Sequence, residues 1–175
     1  KISASAAGAG SEILPADEAR DRTSAATKQN GANLIVAAKQ SGVNLKPGQI
    51  LGYAYASPLH PRAAYAWAAE NTVYIKEEAH ARGLGKRLCL ALEDELRRMN
   101  IASLNACIAI PRTTDDPYLT ENSWKFHEHI GYRLAGRFHQ CAYKFDRWYD
   151  MIWMEKDLAA HETPPQRVKP WRGFL

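Results

Sequence analysis

No stretch of this 175-residue chain approaches the roughly 20 consecutive apolar residues that a membrane-spanning helix needs, so neither a transmembrane segment nor a membrane partner is expected. Lys1–Gly10 likewise lacks the contiguous apolar run of a secretory leader, and a cytoplasmic location is the expectation. Cysteine is scarce: Cys89, Cys107 and Cys141 lie in apolar segments, with no CxxC spacing and no matching histidines. That pattern excludes a disulfide framework and a zinc site, and the three read as buried thiols. A strong excess of one charge is also missing, because 23 Lys and Arg against 19 Asp and Glu leave only +4. Such a balance suits nucleic acid, a membrane surface or an anionic cofactor equally well; without a recognised nucleic-acid-binding motif, no nucleic acid is expected as partner.

The length fits one ordinary domain, and 46% hydrophobic with 24% charged residues is a globular composition. Residues 1–13, rich in Ala, Gly and Ser, are expected to be poorly ordered, residues 14–160 to form the domain, and residues 161–175, with three of the prolines, to be an irregular tail. A helix is expected from Pro15 toward Lys28, and two strands over Asn33–Ala38 and Gln49–Ala56. Ala63–Ile75 reads as one long, bent strand, interrupted at Glu70-Asn71. Leu84, Leu88, Ala91, Leu92, Leu96 and Met99 form one stripe at helical spacing, closed by Asn100. Ser103–Ile110 follows as a buried strand, so a parallel, right-handed crossover is implied. Asp116-Pro117 marks the start of a second helix ending at Gly131. Tyr132–Phe145 and Trp148–Lys156, separated by Asp146-Arg147, read as a closing antiparallel hairpin.

Between the strand ending at Ile75 and the helix starting near Leu84 lies a turn with Gly83 and Gly85, flanked by Arg82, Lys86 and Arg87. Such a turn leaves the first helical amides pointing outward, and glycine lets a ligand approach the backbone, so a phosphate fits there. An ordinary glycine turn with a solvated basic rim has the same two glycines, and context has to decide. Two phosphate loops are excluded by spacing. A Walker loop needs Ser or Thr after its Lys, but Lys86 is followed by Arg87; the dinucleotide fingerprint needs Gly at position 88, which is Leu.

His80-Ala81-Arg82-Gly83-Leu84-Gly85 resembles the coenzyme-binding motif of the GNAT acetyltransferases: Gln or Arg, two residues, Gly, one residue, then Gly or Ala. His80 departs from it. Trp67–Ile75, Ser123–Tyr132 and Tyr143–Asp150 further resemble the phosphinothricin acetyltransferase branch, which usually has Gly where this chain has Ala142 and Asp146. The resemblance implies an α/β (α+β) GNAT fold: a mixed, mostly antiparallel central sheet with a parallel pair splayed at the cofactor site, flanked by helices. It also implies an N-acetyltransferase that moves acetyl from acetyl-CoA to the primary amine of a small molecule, an amino acid or phosphinothricin-like analogue, by direct attack. No metal enters such chemistry. The alternative is a catalytically silent acyl-CoA-binding module with an incomplete acceptor site, since residues 1–32 do not reproduce the family's opening elements. Monomer and homodimer both stay open.

On this resemblance Val73, Tyr74 and Ile75 bind the pantetheine arm, and Ala81, Arg82, Gly83, Leu84, Gly85 and Lys86 the pyrophosphate, with Asn122 as a further coenzyme contact. Attack on a thioester needs a neutral amine and a protonated leaving group. Glu70 is the candidate general base, against the plainer reading of a carboxylate that is solvated or paired with an Arg. His127 is the candidate proton donor to the thiolate, although a lone His on an apolar helix face is also an ordinary core residue. Trp67 and Tyr143 are candidate walls of the acceptor pocket, with Lys144 meeting an acceptor carboxylate; aromatic residues in strands also build cores, and a strand Lys is also simply exposed.

Overall fold

The computed structural model describes residues 34–39 and 50–170. The helix expected from Pro15 and the poorly ordered first segment lie outside the described residues. Contacts divide the chain into two compact units.

The first unit holds three strands, β1 (Leu34–Lys39), β2 (Ile50–Pro58) and β3 (Ala68–Ile75), one helix, α1 (Leu84–Arg98), and the chain after Asp157. β1 pairs antiparallel with β2, and β2 with β3 in unbroken register from Gly52↔Ile75 to Pro58↔Ala69. Gly52 makes that register possible at its tight end: a Cβ there would sit 2.6 Å from the Tyr74 carbonyl oxygen and from Ile75 Cδ1. The long bent strand expected from Ala63 begins only at Ala68. Ala63–Tyr65 is instead a 3-10 turn, closed by the Tyr65 amide on the Arg62 carbonyl and the Ala66 amide on that of Ala63. Local i to i+3 bonding over an alanine-rich run outcompetes extension there. Glu70 and Asn71 do not interrupt β3; they belong to its ladder, opposite Ser57 and Ala56.

α1 follows from its stripe. Leu88, Cys89, Leu92 and Leu96 are buried, and the helix lies against β1, β2 and β3. Its last turns carry Glu93–Arg97 (3.1 Å), Asp94–Arg97 (3.0 Å) and Glu95–Arg98 ion pairs. Asn100, at φ 64°, ends it: the Ile101 amide donates to Leu96 O and the Asn100 amide to Arg97 O, both at 3.0 Å, the paired bonds of a Schellman motif.

The second unit contains β4 (Ser103–Ile110), α2 (Asn122–His129), β5 (Arg133–Lys144) and β6 (Arg147–Asp157), its strands ordered β4-β6-β5. Ala109, Leu119, Ala142 and Tyr149 form a core cluster. α2 starts five residues later than Asp116-Pro117 suggests. Asp116 does accept two amides at 2.9 Å, from Tyr118 and Leu119, but its carboxylate also holds Arg147 (3.2 Å) and Tyr149 (3.4 Å). Tied to β6, it caps a single turn rather than a helix. β5 and β6 form the expected hairpin, turning at Phe145 (φ 52°) and Asp146 (φ 56°), one residue before the expected Asp146-Arg147.

Candidate functional site

In the first unit, β3 runs directly into the basic loop. After Ile75 the chain makes a short 3-10 turn at Glu77–Ala79, and the His80 ring closes the loop by donating Nε2–H to the Ile75 carbonyl at 3.0 Å. His80, the one departure from the motif, is thus an internal brace. Ala81 (φ 58°) and Gly83 (φ 71°) both adopt left-handed backbone, and an added Cβ at Gly83 would meet nothing within 4 Å. The first helical bond runs from the Arg87 amide to the Gly83 carbonyl at 3.1 Å, and no side chain caps the helix. The amides of Leu84, Gly85 and Lys86 therefore have no acceptor within the helix. Arg82, Lys86 and Arg87 stand exposed around them. Open amides, the positive end of the helix dipole and three cations make a receptor for an anion.

Upstream on β3, Val73, Tyr74 and Ile75 pair with Ala54, Tyr53 and Gly52, and Tyr74 stacks on Tyr53 with ring centroids 5.1 Å apart. Tyr53 also stacks on Tyr55 at 6.4 Å. Glu70 is half-buried and has no hydrogen-bonding or ion-pairing partner among the described residues. Burial alone pushes its carboxyl above the ordinary glutamate value. An unpaired, partly desolvated carboxylate holds a proton more readily than an exposed one, as a general base working near neutral pH must.

Trp67 lies apart from the basic loop. It precedes β3 at the end opposite the basic loop, about 23 Å of strand away at the usual rise per residue. Its indole Nε1–H donates to the Gln166 carbonyl at 2.7 Å, and its own carbonyl accepts the amides of Ala102 (2.9 Å) and Ser103 (3.1 Å). It lines a cavity of about 370 Å³ with Tyr65, Arg97, Asn100 and His161, at the foot of the tail. Trp67 therefore anchors the C-terminal segment, a role no local pattern announces because its partner is 99 residues away.

In the second unit, Asn122 is the exposed first residue of α2, its amide on Thr120 Oγ1 at 3.4 Å. His127 is only 2% exposed and stacks edge-on with Phe126 and Tyr132. Its Nδ1 lies 2.8 Å from the Ser123 carbonyl, which only accepts, so Nδ1 carries the hydrogen. Burial holds the ring below the ordinary histidine pKa, against the opposing pull of that bond. A neutral ring with its hydrogen on Nδ1 leaves Nε2 an acceptor. The ring is a packing element of α2.

Tyr143 and Lys144 sit exposed at the end of β5, Tyr143 against Trp148 (5.1 Å between centroids) and Lys144 Nζ 4.6 Å from the Phe145 ring centre. Sequence reasoning assigned nothing to Asp150, which is 2% exposed and gathers Arg137, His139 and the Gln140 amide. The available signal was an acid inside the aromatic run Trp148–Trp153. Burial alone would raise the Asp150 pKa, but the hydrogen bonds from Gln140, Arg137 and His139 outweigh it and hold the carboxyl below its usual value. The amides of Tyr118 and Leu119 and the Arg147 guanidinium do the same for Asp116, again against burial. Among the described residues no cluster of three or more His, Cys, Asp and Glu suits a metal ion, and no helix is long and apolar enough to cross a membrane.

The family model of the acetyltransferase (GNAT) domain matches residues 43–153. The chain is 35% identical over 132 residues to an N-acetyltransferase of Streptomyces griseus, covering 75% of this chain and 63% of that protein. It is 32% identical over 123 residues to a phosphinothricin N-acetyltransferase of Streptomyces viridochromogenes, covering 70% and 62%. The chain thus spans less than two thirds of the length of these relatives. A crystal structure of a GNAT-superfamily phosphinothricin acetyltransferase from Sinorhizobium meliloti, in complex with AcCoA, superposes with a TM-score of 0.65 at 25% identity, covering 91% of this chain and 81% of that one. The α/β GNAT fold implied by the sequence motifs is the fold these matches share.

Proposed function

We propose, from the premise that this chain belongs to the GNAT acetyltransferase family, that it moves an acetyl group from acetyl-CoA to the primary amine of a small molecule. The observation that carries this is the loop after β3. Two left-handed residues, Ala81 and Gly83, open the amides of Leu84, Gly85 and Lys86 among Arg82, Lys86 and Arg87. That cradle suits a pyrophosphate, and the extended backbone of Val73, Tyr74 and Ile75 leads toward it, suited to an amide-bearing pantetheine arm. Acetyl-CoA is accordingly the cosubstrate in this reading. The relatives named for phosphinothricin support an amino-acid-like acceptor.

Glu70 serves as general base, through a water molecule where the amine is out of reach. An ammonium acceptor carries one proton more than the attacking amine; Glu70 takes it, and the nitrogen lone pair adds to the thioester carbonyl. Collapse of the tetrahedral intermediate breaks the carbon–sulfur bond, and the second proton shed by nitrogen balances the one gained by the thiolate. The proton count closes without His127. Asn122, Tyr143 and Lys144 remain proposals for contacts to coenzyme and acceptor, supported by their exposure.

Calorimetry with acetyl-CoA, together with a thiol-release assay over a panel of amino acids and simple amines, tests the reading. Saturable acetyl-CoA binding with turnover of at least one amine is expected. Failure to bind acetyl-CoA overturns it; binding without turnover of any amine replaces it with a silent acyl-CoA-binding module.

A further inference from the structure

In the second unit the β5–β6 register passes from Phe138↔Met151 to Ala142↔Tyr149, so three residues of β5 bulge opposite Asp150 alone. Gln140 takes φ 48° there and turns its amide onto Asp150 Oδ1 at 2.8 Å. Asp150 Oδ2 accepts Arg137 Nε at 2.9 Å and Nη2 at 2.6 Å, with His139 Nδ1 at 3.2 Å. A carboxylate offers about four acceptor positions, two on each oxygen; here three donors crowd Oδ2 and the Gln140 amide is on Oδ1. Arg112, arriving from the end of β4, comes only to 3.8 Å of Oδ1 with its Nε, too far for a hydrogen bond.

Two permanently charged guanidinium groups therefore flank one buried carboxylate that already accepts four donors. The cluster carries an excess positive charge before His139 is counted. Asp150 holds Arg137 by its Nε and Nη2 edge, leaving the Nη1 donors directed elsewhere, and Arg112 keeps its donors unspent among the described residues. Both side chains are half exposed, at 44% and 49%. Two like charges beside a single anion are stabilised by a second anion, and a guanidinium fork matches a carboxylate or a phosphate.

We propose that Arg137, braced by Asp150 at the β5 bulge, and Arg112 beside it form a binding site for an oxyanion group, a carboxylate or a phosphate of a small molecule. The site lies wholly within the second unit and does not depend on the acetyl-transfer reading. Asp150 orients Arg137, and Arg112 supplies the donors an incoming anion would use.

The test titrates the protein with succinate and, separately, inorganic phosphate, following the Gln140 amide and the Arg112 and Arg137 Nε–H signals by NMR, which excludes anions taken up at the Arg82 loop. A saturable shift in the low-millimolar range or tighter is expected for one or both, and comparing the two arms distinguishes a carboxylate site from a phosphate site. Arg112→Gln should remove the shift while leaving Tm within a degree or two, because Arg112 makes no hydrogen bond to Asp150. Arg147→Gln, a half-exposed arginine of the same unit paired with Asp116, should keep it. No saturable shift with either anion overturns the proposal. So does a shift that survives Arg112→Gln, or one that Arg147→Gln removes equally.

Discussion

The indole of Trp67 donates to the carbonyl of Gln166 at 2.7 Å and ties the turn before β3 to the C-terminal segment. The same segment is held at two more points, Asn100 Nδ2 on Arg167 O at 2.8 Å and the Lys169 amide on Met99 O at 2.9 Å. These three bonds fasten an irregular, proline-containing stretch along the C-terminal end of α1.

Trp67→Phe keeps an aromatic ring but removes the donor and part of the indole, so it should cost at least about 1 kcal/mol, the usual net worth of one hydrogen bond. Limited proteolysis after Gln166 should become several-fold faster, with acetyl-CoA affinity unchanged. A raised KM for the acceptor with unaltered protection of the tail would return Trp67 to the acceptor pocket.

Glu70 should appear in the pH profile. Its pKa is raised by burial, so the base is lost by protonation at higher pH than an ordinary glutamate, and kcat/KM should fall as pH drops through a value above 4.5. Glu70→Gln should abolish that limb and lower kcat by about 10²- to 10⁴-fold, sparing acetyl-CoA binding. The linkage sign gives a second readout: a group whose folded pKa is raised destabilises the fold when ionised. Glu70→Gln should therefore be the more stable protein at pH 7, with the gap closing as pH falls through the raised folded value and gone below pH 4.5. An unchanged acid limb in the variant would remove Glu70 from catalysis.

At Gly83 the room is open but the backbone is left-handed, with φ 71°. Gly83→Ala should lose about 1 kcal/mol from conformation alone, and Gly83→Asn less, since Asn tolerates this region. Gly83→Asp brings a negative charge to the open amides and should weaken acetyl-CoA binding ~10-fold or more, read by calorimetry. Equal affinities for the Asn and Asp variants would place the phosphates elsewhere.

The β5–β6 turn has left-handed Phe145 and Asp146, the geometry of a type I′ hairpin that favours glycine at its second position. Asp146→Gly should stabilise by about 0.5–1 kcal/mol and raise Tm by a few degrees. Phe145 is the worse strained of the two, yet it stacks on Tyr118 with centroids 4.3 Å apart, so its replacement should bring no comparable gain.

Acid should destabilise the protein in two stages. His127 has a depressed folded pKa, so the unfolded chain takes up the proton first and stability falls as pH drops below 6.5. Asp150 and Asp116 have folded values below 3.8; their contribution is complete above that value and is lost as pH falls through the lower folded ones. Asp150→Asn should cost about 2 kcal/mol at pH 7 and flatten the lower stage, measured by denaturant unfolding between pH 7 and 3.

Much of this architecture was legible along the chain because it is locally encoded. The stripe from Leu88 to Leu96, the Asn100 stop and the glycine turn before α1 each depend on residues within a few positions, and α1 and its loop stand where those patterns put them. The anion cradle is of the same kind, because Gly83 and the neighbouring cations need only the strand before and the helix after. The errors share a cause. The stretch from Ala63 has apolar content that suits a strand, but it closes into a 3-10 turn whose far side meets the tail. Asp116-Pro117 has the composition of a helix start, but its carboxylate is claimed by Arg147 and Tyr149 on another strand.

By itself, then, the sequence determined the family, the helix α1 and the basic loop that opens it, since short-range periodicity and backbone preference are written in consecutive residues. Only the tertiary structure decided which polar groups are paired and which are not. Among the described residues Glu70 stands without a partner, His127 is sealed on its own helix, Trp67 is bound to Gln166 and Asp150 is crowded by arginines. Burial and pairing depend on neighbours brought together by folding, and these set the protonation state and the role of each side chain.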